Sequence, residues 1–243
     1  MHIRKVWQTD KVKQLATENI NGINISYNDN STDMGVIKEI FFEDPYKVRD
    51  IPNNSIVIDI GGHIGTFSIR CANEKNCTVY VYEPCEESYR LLIHNININK
   101  LYDKIKAFNK AVSDDNIVRD FYVDTYHYSG SSFYLKDFAE QKTFTRPYHI
   151  VKVECVTLKQ IFDDNNIIHC NILKLDCELE EKRILLDEKS TMSLEKVDKI
   201  IIEHHCISDG KDIAMYLESK GFSVSSNNQF QAHGGILHAT RPQ

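Results

Sequence analysis

Short apolar runs alternate with amphipathic stretches through most of the chain. Residues 55–60 (SIVIDI) form a compact run rich in β-branched side chains, as expected of a strand covered on both faces. Comparable runs recur at 78–83, 105–112, 171–176 and 199–203. Between them the period becomes helical. A helix is predicted over Thr66–Glu74, and another over 86–97 with Tyr89, Leu92, Ile93 and Ile96 on one face. A charged helical segment follows Asp176, and a further helix is expected over 212–219. Runs at 222–224 and 236–240 read as two closing strands. Residues 114–150 are harder to read, with β-like pieces at 120–123 and 149–156 and a polar loop at 126–133.

Strands alternating with helices imply an α/β fold with a parallel, doubly wound sheet. Residues 1–54 read as an N-terminal cap on a core of 55–243, within one domain. The cap should hold a short strand at 24–27, a polar turn and a helix over 33–42 that Pro45 ends.

In such a sheet the turns after successive strands gather on one edge. Those turns begin with acids: Asp59, Glu83, Asp176 and Glu203. The first lies in a glycine-rich segment, Asp59-Ile60-Gly61-Gly62-His63-Ile64-Gly65. A dinucleotide loop needs G-x-G-x-x-G, and counting from Gly61 the later positions hold His63 and Thr66. Asp59 would also repel a pyrophosphate. A cofactor with cationic groups and no phosphate, as S-adenosylmethionine is, suits these acids better. Glu83 can take one ribose hydroxyl on each carboxylate oxygen.

Composition narrows the partners. Lys plus Arg number 29 against 35 Asp plus Glu, a net charge of −6, which argues against nucleic acid as a partner. The N-terminus has no apolar run, and no stretch approaches a membrane span, so neither a signal peptide nor an anchor is expected. The seven cysteines contain no C-x-x-C pair, which points to reduced thiols in the cytoplasm rather than a zinc site.

Three blocks carry a resemblance to the FkbM-type S-adenosylmethionine-dependent methyltransferases: VIDIGGHIGTFSI (57–69), VYVYEPCEESYRLLIHNININ (79–99) and LKLDCELEEKRIL (173–185) with KIIIEHH (199–205). The resemblance implies a class I, Rossmann-like sheet of about seven strands, with helices on both faces and an antiparallel last strand. It implies cofactor contacts from Asp59, Gly61, Gly62, His63, Ile64, Gly65, Glu83, Pro84, Ala111, Val112 and Asp176. Two departures stand out. The family's Ala-Asn pair is Gly62-His63 here. Its D-x-E-G-x-E pattern keeps Asp176, Glu178 and Glu181 but has Leu179 for glycine, so a left-handed turn at 179 is not expected.

The activity so implied is methyl transfer, most often to a hydroxyl of a sugar, a nucleotide-linked sugar or a related small metabolite, with a bacterial surface glycan as one destination. Asp176 is the first candidate for the base, with Glu203, His204 and His205 as alternatives. No resident metal is expected, although Asp176, Glu178 and Glu203 offer oxygen ligands for a divalent ion. N-methylation of an amide or peptide side chain and a nucleotide-dependent oxidoreductase remain as alternative functions.

Overall fold

The computed structural model describes residues 15–134, 148–226 and 234–242. Its centre is a seven-stranded sheet in the order β11-β12-β10-β9-β3-β4-β5. These strands are β3 (Ile56–Ile60), β4 (Thr78–Tyr82), β5 (Ile105–Phe108), β9 (Cys170–Leu175), β10 (Val197–His204), β11 (Ser223–Ser226) and β12 (Gly235–Thr240). β3, β4, β5, β9 and β10 run parallel, and β12 lies antiparallel to both β10 and β11. This is the expected class I architecture with its antiparallel last strand.

Strand alternation sorts the core into two layers. Val57, Val79, Val81, Ile172 and Ile201 face one way. They meet α2 (Thr66–Glu74) and α3 (Glu86–Ile98). Ile58, Ile60, Leu173, Leu175, Ile200 and Ile202 face the other way. There they meet α4 (Leu158–Asp164), α5 (Glu181–Leu186), α6 (Thr191–Leu194) and α7 (Ile207–Ser219).

The expected cap is described from residue 15 onward. It opens with a hairpin of β1 (Leu15–Ile20) and β2 (Ile23–Asn28), joined by Asn21-Gly22 with both φ angles positive (54° and 87°). That geometry matches the twist of the paired strands. The helix expected over 33–42 is α1 (Asp33–Lys38), which passes into a π-helical turn over Glu39–Glu43. Buried Asn95 on α3 ties the hairpin down, exchanging hydrogen bonds with both Ser26 N and Ser26 O and donating to Ile64 O. Arg70, 2% exposed, pairs with Asp44 at 2.7 Å and fastens the following turn to α2.

One expected strand divides. Residues 105–112 form β5 in the main sheet and β6 (Ala111–Ser113) in a second, three-stranded sheet with β7 (Val118–Asp124) and β8 (Tyr148–Thr157). The break falls at Asn109, whose amide donates to Glu83 O (2.9 Å) and Pro84 O (3.1 Å). These bonds turn the chain across the mouth of β4 before it can continue.

Candidate active site

The site lies at the carboxyl ends of β3, β4, β9 and β10. Gly61 leaves β3 with φ +82°, and a Cβ there would come within 1.7 Å of Asp176 O, so only glycine lets the loop rest on the end of β9. His63 is also left-handed (φ 49°), a conformation that Asn and His tolerate better than most residues. Gly65 (φ 91°) precedes α2.

Two pockets open on this edge. The first encloses about 480 Å³, counted to its open mouth, and is lined by Gly61, His63, Glu83, Pro84, Ala111 and Val112. Phe121, Tyr128, Phe133 and Asp176 complete much of its wall. Glu83 is 6% exposed. Its Oε2 accepts the His63 N–H (2.7 Å) and its Oε1 the Cys85 N–H (2.8 Å). Each oxygen keeps a lone pair for a hydroxyl. Burial raises the Glu83 pKa, against the pull of His63 and these N–H groups.

The second pocket, about 740 Å³ to its open mouth, is lined by Glu39, Tyr46, Gly62, Phe67, Lys174, Glu203 and His205 among others. Four residues line both pockets: His63, Ser129, Asp176 and Glu178.

Asp176 stands at that junction. Burial pushes its pKa up, but the Lys174 ammonium at 3.4 Å, His205 and the Tyr46 hydroxyl outweigh this and hold it low. Tyr46 shares its hydroxyl between Asp176 Oδ2 (3.0 Å) and Glu203 Oε2 (2.5 Å). The cap therefore reaches the second pocket rather than the first. Burial, with Asp176 nearby, pushes Glu203 up to about 7. Burial pushes Glu178 up to about 8, against the pull of His205. Burial opposes the charge on His205, but Glu178 and Glu181 outweigh it and raise its pKa well above the usual histidine range. Its Nδ1 is 3.2 Å from Glu181, and its Nε2 is 3.6 Å from Glu178 and 3.7 Å from Asp176. Atoms of Asp176, Glu203 and His205 lie within 4.8 Å of one another, a spacing that would admit a metal ion.

Several expected site residues take other places. Asp59 is fully buried beneath the loop, where Ser68 donates to its Oδ2 (2.6 Å) and Lys174 lies 3.1 Å from its Oδ1. Its charge is thus spent on Lys174, not offered to a ligand. Ile64 sits in the core under α2, and Gly65 lines neither pocket. His204, the last residue of β10, is 1% exposed and lines neither pocket. Its Nδ1 lies 3.0 Å from Cys206 O and its ring covers Gly210, so it is removed from the site.

Leu179 corrects another expectation. The left-handed turn persists, with φ 53° at Glu178 and 82° at Leu179. Cys177 N–H donates to Glu181 Oε1 (2.8 Å) and Ser132 Oγ to Glu178 O (2.7 Å). These bonds hold a conformation that costs an L-residue about 1–2 kcal/mol.

Lys174 and Phe121 were not expected as site residues. A lysine in the apolar strand NILKLD was the available signal, because a buried cation requires a buried partner.

The model of the methyltransferase FkbM domain family matches residues 59–224. The chain belongs to this family. It is a methyltransferase on the class I fold. It is 26% identical over 207 residues to Methyltransferase 1 of Beauveria bassiana (strain ARSEF 2860), covering 77% of the chain and 80% of that relative. A shorter match, 38% identical over 63 residues, is to tRNA (guanine(37)-N(1))-methyltransferase of Xenopus tropicalis, covering 26% of the chain and 12% of that protein. Among solved structures, precorrin-6y C5,15-methyltransferase from Geobacter metallireducens GS-15 superimposes with a TM-score of 0.51 at 10% identity, covering 89% of this chain and 93% of that one. TrmK of M. capricolum, in complex with S-adenosylhomocysteine, gives a TM-score of 0.50 at 12% identity, covering 83% and 69%. Both establish a shared fold.

Proposed function

We propose that this methyltransferase moves the methyl group of S-adenosylmethionine to a hydroxyl of a sugar, a nucleotide-linked sugar or a related small metabolite. The observation that carries this reading is the meeting of two pockets at His63, Ser129, Asp176 and Glu178.

The residues of the first pocket fit the cofactor. Glu83 has lone pairs for both ribose hydroxyls. Val112, Phe121 and Phe133 provide an apolar slot for the base. The cofactor supplies a methyl group already activated on a cationic sulfur. Asp176, ionised in a half-enclosed site, favours positive charge beside it and accepts a hydrogen bond from the acceptor hydroxyl. A pKa held low makes Asp176 an anchor and a poor final home for the proton.

The second pocket holds Glu39, Glu203, Tyr46, His127 and Ser129 close to the Phe67 ring. Hydroxyl-accepting groups beside an aromatic face suit a polyhydroxylated molecule. The net charge of −6 disfavours a polyanion such as RNA as the acceptor. Seven free cysteines, five of them buried, support a reducing, cytoplasmic setting. Among the described residues no helix is long and apolar enough to cross a membrane.

Methyl-labelled cofactor offered with monosaccharides, nucleotide sugars, peptide amides and tRNA tests the reading. Label on a sugar oxygen supports it; label on peptide nitrogen or tRNA alone replaces it.

A further inference from the structure

Glu180, on the turn that follows Asp176, is a carboxylate 1% exposed in the wall of the first pocket. A buried carboxylate needs partners. Ser113 Oγ (2.5 Å) and Arg119 Nη1 (2.8 Å) donate to its Oε1, and Tyr134 Oη donates to its Oε2 (2.5 Å). Arg183 Nε lies a further 3.6 Å away. With both oxygens engaged inside the protein, Glu180 acts on the pocket through its partners. Arg119, on β7, is the partner that reaches the wall. Burial opposes its charge, but Glu180 outweighs this and raises the Arg119 pKa. Its guanidinium lies 4.0 Å from the centroid of the Phe133 ring. Phe133 in turn meets Phe121 nearly at right angles, with centroids 5.2 Å apart and an interplanar angle of 79°. Both rings line the first pocket, where they form the slot assigned above to the base. The backbone next to Phe133 is already fixed, because Ser132 exchanges N–H···O bonds with Tyr122 (2.8 and 3.0 Å) and its Oγ donates to Glu178 O. What remains to be set is the ring, and a cation on a ring face with a second ring across it sets it.

We propose that Glu180 and Arg119 are positioning residues for the cofactor's base: Glu180 holds the guanidinium, the guanidinium holds Phe133, and Phe133 with Phe121 sets the slot that admits the adenine. The inference rests on the reading that places the cofactor in the first pocket. Neither residue touches the base, so each contributes to affinity only by way of the Phe133 ring. A slot held ready in this way spares the cofactor the cost of ordering a mobile ring on binding. Glu180 also belongs to the turn that begins at Asp176, so the base slot and the reacting centre are built on one piece of chain.

The test is a thermodynamic cycle read by calorimetry with S-adenosylhomocysteine on the full chain, with a thermal melt to establish that each variant is folded. Arg119→Met alone strands the buried Glu180 charge, so it is made together with Glu180→Gln. Phe133→Leu removes the ring and leaves the ion pair in place. The Arg119→Met, Glu180→Gln protein and the Phe133→Leu protein should each bind about tenfold more weakly than wild type, and all three changes together should still cost about tenfold, because the pair acts through the ring. Methylthioadenosine, which has the base and ribose without the amino-acid tail, should lose the same factors. Arg119→Lys keeps a charge beside Glu180 without the planar guanidinium and tests the same point in a protein that strands no charge. It should bind about threefold more weakly, and the difference should vanish in a Phe133→Leu background. A pair that served the fold alone would add its loss to that of Phe133→Leu. Additive losses, or wild-type affinity in the folded Arg119 variants, would overturn this inference and leave the cofactor reading standing. Absence of S-adenosylhomocysteine binding in the wild type would overturn both.

Discussion

Lys174 Nζ lies 3.1 Å from Asp59 Oδ1, and both side chains are sealed from solvent. The same ammonium donates to Gly61 O at 2.8 Å and faces Asp176 at 3.4 Å. One cation thus ties the glycine loop, the acid beneath it and the acid at the reacting centre. Removing one member of a buried pair strands the other charge, at about 3–5 kcal/mol. Lys174→Met should lose stability on that scale in urea unfolding. Adding Asp59→Asn should recover part of the loss, since the stranded charge is then gone.

Asp176 is held ionised at the junction of the pockets. Asp176→Asn should leave S-adenosylhomocysteine affinity within about threefold of wild type and cut turnover about tenfold or more, because the anchor for the hydroxyl is weakened. Calorimetry paired with steady-state kinetics separates the two effects.

The acids around Asp176 make stability depend on pH. Glu178 is pushed up to about 8 and Glu203 up to about 7. Unfolded, both titrate near 4.3 (roughly). Between these values the folded protein keeps protons that the unfolded chain has released, so stability falls as pH rises from about 4 to about 8. His205 acts in the same sense: its contribution is complete below its unfolded value and is lost as pH rises through its raised folded value. Asp176 acts oppositely, losing its contribution only as pH falls below the unfolded aspartate value. Thermal melts across this range should show a declining Tm, and Glu178→Gln should flatten the decline.

Leu179 carries a φ of 82° in a turn that glycine occupies in the family. Leu179→Gly should relieve about 1–2 kcal/mol of backbone strain and give back part of it to unfolded-chain entropy. A small rise in Tm is expected, where a glycine introduced at an ordinary position would lower it.

The central sheet was legible because strands buried on both faces leave unmistakable apolar runs, and the acids at their ends marked the site edge. Other elements had quieter signals. Asn21-Gly22 marks the first hairpin, and Thr157 with Gln160 forms the capping box that starts α4. The break at Asn109 was not legible, because it depends on hydrogen bonds to Glu83 and Pro84 across the sheet edge. Side-chain direction was legible only in part. β10 ends at His204, and the bend that follows it separates His204 from His205. The Asp33–His63 pair joins residues 30 positions apart through a cap whose docking no local pattern encodes.

The most direct test of the account is calorimetric titration of the wild type and of Glu83→Ala with S-adenosylhomocysteine. The account predicts one-to-one binding at micromolar affinity in the wild type, weakened about a hundredfold in Glu83→Ala by the loss of both ribose hydrogen bonds. Absence of binding in the wild type, or equal affinity in a folded Glu83→Ala, would contradict it.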